Sequence, residues 1–311
     1  MAFEFAALKV VFSEQQIDEL LDVATDAARQ AGNYIRQFDR RLLHVDTKSA
    51  GASLSSQVVT QVDLDSQALI LEALKPMTER YGFAVLSEEN ASEEYAEQHP
   101  RHQCDYFWCI DPLDGTLPFI EGTSGYAVSI ALVARSGKSI LGVVLNPINN
   151  DLYQAVHYQQ ASQLLKNGQP WRLPANRGVF TLFVDRSFLS DPRYIDLKDK
   201  LTQLARDKGY AELKVQSQFG AVMNAIGVME QRPACYLKLP KASKGGGSLW
   251  DFSATAAIAT AAEDMSVSDI YGQALDLNRI DSNFMNHRGV VYNTSDIQNI
   301  LPLCCSLAGG G

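Results

Sequence analysis

The run Asp111-Pro-Leu-Asp-Gly-Thr116 sets two carboxylates, a freed backbone carbonyl and a hydroxyl within six residues, directly behind the apolar segment 106–110. Oxygen donors of this kind, gathered in a tight turn, can hold a hard divalent cation and present a phosphate to it. Asp-Gly is also an ordinary turn signal, so the hexamer alone leaves both a metal site and a plain turn open.

Acids at three other places could complete a metal site. Ser87-Glu88-Glu89 comes immediately after the apolar run 83–86, where a strand end would hold a carboxylate rigidly. Asp63 stands at a strand-to-helix junction, and Asp251 opens an Ala-rich helix. Taken singly, Asp63 and Asp251 read as helix caps and Glu88-Glu89 as a solvated pair. Their joint occurrence with the hexamer favours a cluster. Carboxylates and carbonyls without His or Cys select Mg²⁺-like ions over zinc. The five histidines show no metal-ligand spacing, and no P-loop or Gly-x-Ser-x-Gly elbow is present. Converging acids need the cation, because two carboxylates 4 Å apart repel by about 4 kcal/mol at an effective dielectric of 20.

The chain has 311 residues, a formal charge of −9 and no Lys/Arg block. That balance argues against a nucleic acid polymer or an anionic membrane as partner. An acidic protein also repels a phosphorylated metabolite, and bound cations resolve that conflict. Five cysteines without a Cys-x-x-Cys pair give no disulfide framework. The first ten residues lack the basic start of a signal peptide, and the central apolar run 127–134 is too short to span a bilayer. A cytoplasmic protein is the expectation.

The elements that must position these acids can be read from periodicity. Ser13 and Gln16 form a capping-box pattern ahead of a helix to about Phe38, with Ile17, Leu20, Leu21, Ala24, Ala27, Ala28, Ala31 and Ile35 at helical spacing. Residues 46–56 read as a mobile loop, 57–62 as a strand, and a second helix follows. Further strands are predicted at 83–86, 106–110, 127–134 and 139–145, then a turn cluster at 146–151. The pattern restarts with a strand at 179–184, helices at 194–208 and 220–229, and a strand at 234–239. A flexible Gly-rich loop at 241–248 precedes the Ala-rich helix, and a final helix starts at Ser295 with Gln298 as its capping glutamine. This order favours a layered α+β architecture over a Rossmann sheet. Two domains are expected, an α+β domain at 1–155 carrying most of the acids and a smaller α/β domain at 156–311 supplying Asp251.

In this order, Leu86-Ser-Glu-Glu89, Ile110-Asp-Pro-Leu-Asp-Gly-Thr116 and Leu249-Trp-Asp251 resemble the Mg²⁺-dependent, lithium-sensitive phosphatases of the inositol monophosphatase superfamily, and Thr60-Gln-Val-Asp63 matches a further motif. The resemblance runs from about residue 14 to 293. It implies a sugar-phosphatase-like α-β-α-β-α fold with two sheets. It also implies one Mg²⁺ on Glu88, Asp111 and the Leu113 carbonyl, a second on Asp111, Asp114 and Asp251, and a third, weaker ion near Glu88 and Asp63. Thr116 with Asp63 would orient and deprotonate the attacking water. The N–H groups of Gly115 and Thr116 would hold phosphate oxygens, with Gly220 and Lys238 as further substrate contacts.

Within the superfamily the chain is most similar to the 3′(2′),5′-bisphosphate nucleotidases, through Leu86-Ser-Glu-Glu89, Tyr236-Leu-Lys-Leu-Pro240 and 282–288. Hydrolysis of 3′-phosphoadenosine 5′-phosphate to AMP is the activity this implies, with Lys238 attracting the second phosphate. The alternatives are an inositol- or sugar-phosphate phosphatase and a non-catalytic phosphate-binding protein. The chain departs from the nucleotidase pattern at Leu117-Pro118, Ala221, Glu263-Asp264 and the Gly-rich loop, each expected near the leaving group. A homodimer is left open.

Overall fold

The computed structural model describes residues 10–43, 45–47, 58–159, 161–297 and 300–308. Helix α1 (Glu14–Gln37) starts where the sequence places it: Ser13 Oγ accepts the Gln16 N–H at 3.3 Å and Gln16 Oε1 accepts the Ser13 N–H at 2.9 Å. The predicted stripe of Ile17, Leu20, Leu21 and the alanines is buried. Beside it runs α2 (Gln61–Tyr81), capped by Thr60 and closed by Gly82 in the left-handed region at φ 66°. The short hairpin β1 (Val45–Thr47) and β2 (Val58–Thr60) precedes it. The strand expected at 57–62 thus ends at Thr60, because Thr60 becomes the helix cap. Of the expected mobile loop at 46–56, Asp46 and Thr47 instead pair with β2 as part of β1, and 48–56 lies outside the described residues, as do nine of the first ten residues.

Both helices cover one face of a seven-stranded sheet built from β3 (Ala84–Ser87), β4 (Tyr106–Asp114), β5 (Ala127–Ala134), β6 (Ser139–Asn146), β7 (Asp151–Tyr158), β8 (Ala161–Lys166) and β9 (Gln169–Pro170), in that order. Only β3 and β4 run parallel; every later pair is antiparallel. The side-chain period of two divides β4 between two cores. Tyr106, Trp108 and Ile110 pack with α1 and α2, while Phe107 and Cys109 face the other way.

That other face receives α5 (Ala221–Glu230) and α6 (Leu249–Ala261), which also pack under a second sheet. Its strands β10 (Phe180–Phe183), β11 (Leu213–Gln216), β12 (Ala234–Lys238), β13 (Met265–Ser268) and β14 (Val290–Thr294) stand in the order β11-β10-β12-β14-β13. Its far face carries α4 (Tyr194–Asp207) and α7 (Ile300–Ala308) through Leu182, Leu197, Leu201 and Cys304. The result is the expected α-β-α-β-α stack.

Two expectations need correction. The hexamer is not a turn behind a strand: β4 continues through it to Asp114, with a register shift between Asp111 and Asp114, and the turn comes at Gly115, ahead of a short helix α3 (Thr116–Glu121). The boundary at 155/156 falls inside β7, since the first sheet runs on to Pro170. The cluster 146–151 is the expected turn; it joins β6 to β7, a strand that the sequence reading did not foresee. At the C-terminal end Ser295 lies in a turn, Gln298 is outside the described residues, and the helix is described from Ile300. Among the described residues no helix is long and apolar enough to cross a membrane.

Candidate metal centre

The bulge in β4 is what brings its two aspartates onto one side. A regular strand would put positions three apart on opposite faces; the extra residue re-aims Asp114. Asp111, Asp114 and Asp251 each offer an oxygen within 4.8 Å of the others, although Asp251 is more than 130 residues away in sequence. Each carboxylate is held by backbone donors. Asp111 Oδ1 accepts the Leu113 N–H at 3.1 Å. Asp114 accepts Ala221 N–H and Val222 N–H, each at 3.0 Å, and so caps α5. Asp251 accepts the Ser248 N–H at 3.0 Å as the third residue of α6.

Gly220 makes the Asp114 cap achievable. A Cβ there would stand 2.2 Å from Asp114 Oδ2 and 2.8 Å from the Gly115 Cα. Its own N–H is taken by the Gly125 carbonyl at 2.7 Å and its carbonyl by the Asn224 N–H at 2.9 Å. Gly220, expected as a substrate contact, lines the cavity and leaves space for the Asp114 cap. Gly142 has a parallel role, because a Cβ would lie 2.3 Å from the Ala254 carbonyl of α6.

Asp63 joins through Thr116. Its Oδ1 accepts the Thr116 hydroxyl at 2.9 Å, and its Oδ2 accepts Thr60 N–H at 2.8 Å and Thr60 Oγ1 at 2.6 Å. Thr116 Oγ1 also lies 3.2 Å from the Leu113 carbonyl. Glu88 sits where β3 ends, on a turn that the Ser87–Gln67 and Gln67–Asn90 hydrogen bonds fix from α2, and it lines the cavity with Asp111, Asp114 and Asp251.

The electrostatics are those of an acid cluster with uncompensated charge. Burial and then the Glu88 charge push Asp63 up to about 6, against the opposing Thr60 bonds. Burial likewise raises Asp251 to about 6, with Lys238 pulling it down and Glu88 up. Burial and Asp251 raise Asp114 well above the usual carboxylate range. A hard dication removes all three penalties at once, and an all-oxygen donor set of buried carboxylates fits Mg²⁺ by its chemistry.

The cavity above the cluster has a volume of about 470 Å³. Its second wall includes Asp185, Lys238, Lys241 and the glycines 245–247. Lys238 is not free to act as a lone cation: its Nζ lies 2.7 Å from Asp185 Oδ2 and 5.2 Å from the Phe252 ring centroid. Burial opposes its charge, but Asp185 and Asp251 together raise its pKa. Asp185 also accepts the Tyr236 hydroxyl at 2.8 Å. Sequence reasoning missed Asp185, though it carried the same signal as Glu88, an acid directly behind an apolar strand. Of the departures noted, Leu117, Pro118 and Ala221 line the cavity. Asp264 does not, contrary to expectation; at the far end of α6 it pairs with Arg232 at 2.5 Å.

The model of the inositol monophosphatase family matches residues 16–302. The 3′(2′),5′-bisphosphate nucleotidase CysQ of Escherichia coli K12 is 29% identical over 276 residues, covering 86% of this chain and 97% of that protein. Nus factor SuhB of the same organism is 34% identical over 142 residues, covering 46% of this chain and 49% of that protein, so this match spans about half of the relative. Among solved structures, a staphylococcal IMPase-I complexed with products aligns at a TM-score of 0.68 with 17% identity, covering 96% of this chain and 97% of that one. An inositol monophosphatase from Anabaena aligns at 0.65 with 19% identity, covering 94% and 96%. Fold, motif order and the family match agree: the chain belongs to the inositol monophosphatase family of metal-dependent phosphoric monoester hydrolases.

Proposed function

We propose that the protein is a Mg²⁺-dependent phosphomonoesterase whose substrate is a 3′(2′),5′-bisphosphate nucleotide such as 3′-phosphoadenosine 5′-phosphate, released as AMP and phosphate. The observation that carries the catalytic part is the convergence of Asp111, Asp114 and Asp251 in one cavity whose wall includes Thr116, itself hydrogen-bonded to Asp63. The nucleotide part is supported by the similarity to CysQ along nearly its whole length.

In this reading Glu88, Asp111 and the Leu113 carbonyl hold one ion and Asp111, Asp114 and Asp251 a second, with Glu88 and Asp63 able to take a third. When bound, magnesium supplies the positive charge that activates a water and stabilises the transferring phosphoryl group. The protein's own groups do the rest. Thr116 Oγ1 donates to Asp63 Oδ1, which leaves its lone pair to receive the attacking water and passes the proton to Asp63. The N–H groups of Gly115 and Thr116 face the phosphate oxygens, and Trp250, packed at 8% exposure, keeps Asp251 in line. A cytoplasmic setting and lithium inhibition belong to the same proposal.

One observation favours a second reading, an inositol- or sugar-phosphate phosphatase. Asp185 places an acceptor for hydroxyl groups in the leaving-group wall and neutralises Lys238. Released phosphate measured over a panel of nucleotide, inositol and sugar phosphates, with Mg²⁺ and then with added lithium, separates the two. No release from any of them would leave a phosphate-binding protein and sink both.

A further inference from the structure

The wall facing the carboxylates holds four cations, and three are matched. Lys238 pairs with Asp185 at 2.7 Å, Arg186 with Glu121 at 2.6 Å and Arg193 with Asp191 at 2.7 Å. Lys241 is different. Among the described residues its ammonium has neither a carboxylate within ion-pair range nor a hydrogen-bond acceptor, yet it lines the same cavity. Its backbone is anchored on both sides of the peptide: the N–H donates to the Asn286 carbonyl at 3.0 Å and the carbonyl accepts Asn286 Nδ2 at 3.1 Å.

The glycines that follow make room for the two lysines. A Cβ on Gly246 would stand 3.2 Å from Lys241 Cε, and one on Gly247 would stand 2.8 Å from Lys238 Nζ. Both glycines also have positive φ, +80° and +86°. The Gly-rich segment is therefore the roof under which these side chains lie. Burial and then the Lys238 charge hold the Lys241 pKa below its ordinary value, against the more distant pull of Asp185 and Asp191, so an incoming anion would favour its charged form.

We propose that Lys241 is the specificity residue of the site, recognising a second phosphate on the leaving group while the Asp185–Lys238 pair, neutral as a unit, meets its hydroxyls. This rests on the phosphomonoesterase reading and adds to it the residue that would discriminate a small metabolite with two separated phosphates from its monophosphate. A nucleoside and an inositol scaffold share that chemistry.

The test compares kcat/KM for adenosine 3′,5′-bisphosphate against adenosine 3′-monophosphate, and for inositol 1,4-bisphosphate against inositol 1-phosphate, in wild type, Lys241→Met and Lys241→Arg. A charge-assisted contact predicts that Lys241→Met lowers the bisphosphate preference about 10- to 100-fold, through KM, while Lys241→Arg keeps it. The pair that shows the drop identifies the scaffold. An unchanged preference in both pairs, or an equal fall on bis- and monophosphates, overturns the assignment. If wild type releases phosphate from none of the four, the phosphomonoesterase reading fails separately. Calorimetric binding of the two bisphosphates then decides the role of Lys241, weaker binding to Lys241→Met supporting it and equal binding overturning it.

Discussion

The Thr116 hydroxyl donates to Asp63 Oδ1 at 2.9 Å, joining the end of the β4 bulge to the first turn of α2 across 53 residues of sequence. A carboxylate at that helix position ordinarily serves as a cap, and Asp63 does accept the Thr60 N–H. Its second oxygen is what the cap does not need. Asp63→Asn retains a side-chain oxygen for the cap but loses the proton acceptor. It is expected to cut kcat by about 10²- to 10⁴-fold with little change in melting temperature. Thr116→Ser should keep most of the rate and Thr116→Ala should not. Single-turnover phosphate release checks both.

Asp111→Asn removes the carboxylate shared by both proposed ion sites. Carboxylates 4.8 Å apart repel by about 3.5 kcal/mol at an effective dielectric of 20. The variant should lose activity by about a thousandfold or more while the metal-free fold melts no lower than wild type. Near-normal turnover would count heavily against the cluster.

Proton and metal compete at this site, and the sign follows from the raised pKa values. In the metal-free fold Asp63 and Asp251, both near 6, and Asp114 hold protons that the unfolded chain has already released above about pH 4. Their contribution to stability therefore falls as pH rises from 4 through 6. Mg²⁺ binds the deprotonated forms and reverses the trend. The gain in melting temperature on replacing EDTA by Mg²⁺ should be near zero at pH 5 and about 5 °C at pH 7.5, for an ion concentration about 100 times Kd. His99, pulled down to about 4 by burial and by Arg101, shifts the other way, but it is common to both arms and cancels. A gain that is flat with pH would contradict the site.

Gly220→Ala places a methyl group 2.2 Å from Asp114 Oδ2. Either α5 or the carboxylate must move. Activity should fall about a hundredfold or more with a weaker Mg²⁺ requirement curve, while far-UV circular dichroism stays that of the wild type. Retention of wild-type Mg²⁺ activation would show that Asp114 is not a ligand.

Lys238→Met strands Asp185, which is 27% exposed, without its cation and should destabilise the fold by about 3 kcal/mol. The double variant Asp185→Asn, Lys238→Met should recover most of that loss, as read by urea melts. Strict additivity would mean that the pair is not coupled.

Much of the fold could be read locally. The Ser13–Gln16 capping box, the α1 stripe and the strands at 127 and 139 depend on neighbours within a few residues, and the structure places them within a residue or so of expectation, while the strand at 106 starts as expected but runs four residues further, to Asp114. Strands β1, β7 to β9, β11, β13 and β14 escaped the sequence reading, β14 despite its β-branched and aromatic Val290-Val-Tyr292. β8 is largely exposed, with no buried face to impose a period.

The class of chemistry is legible in the order of the residues alone: oxygen donors at Glu88, Asp111, Asp114 and Asp251, with no His or Cys at metal-ligand spacing, favour a hard cation and a phosphate. How that charge is arranged comes from the packing. The bulge that turns Asp114, the missing Cβ of Gly220 and the pairing of Lys238 with Asp185, which leaves Lys241 without an ion pair among the described residues, all depend on backbones that meet from distant segments. Such contacts follow from register and close packing across the stack, and no local pattern of residues encodes them.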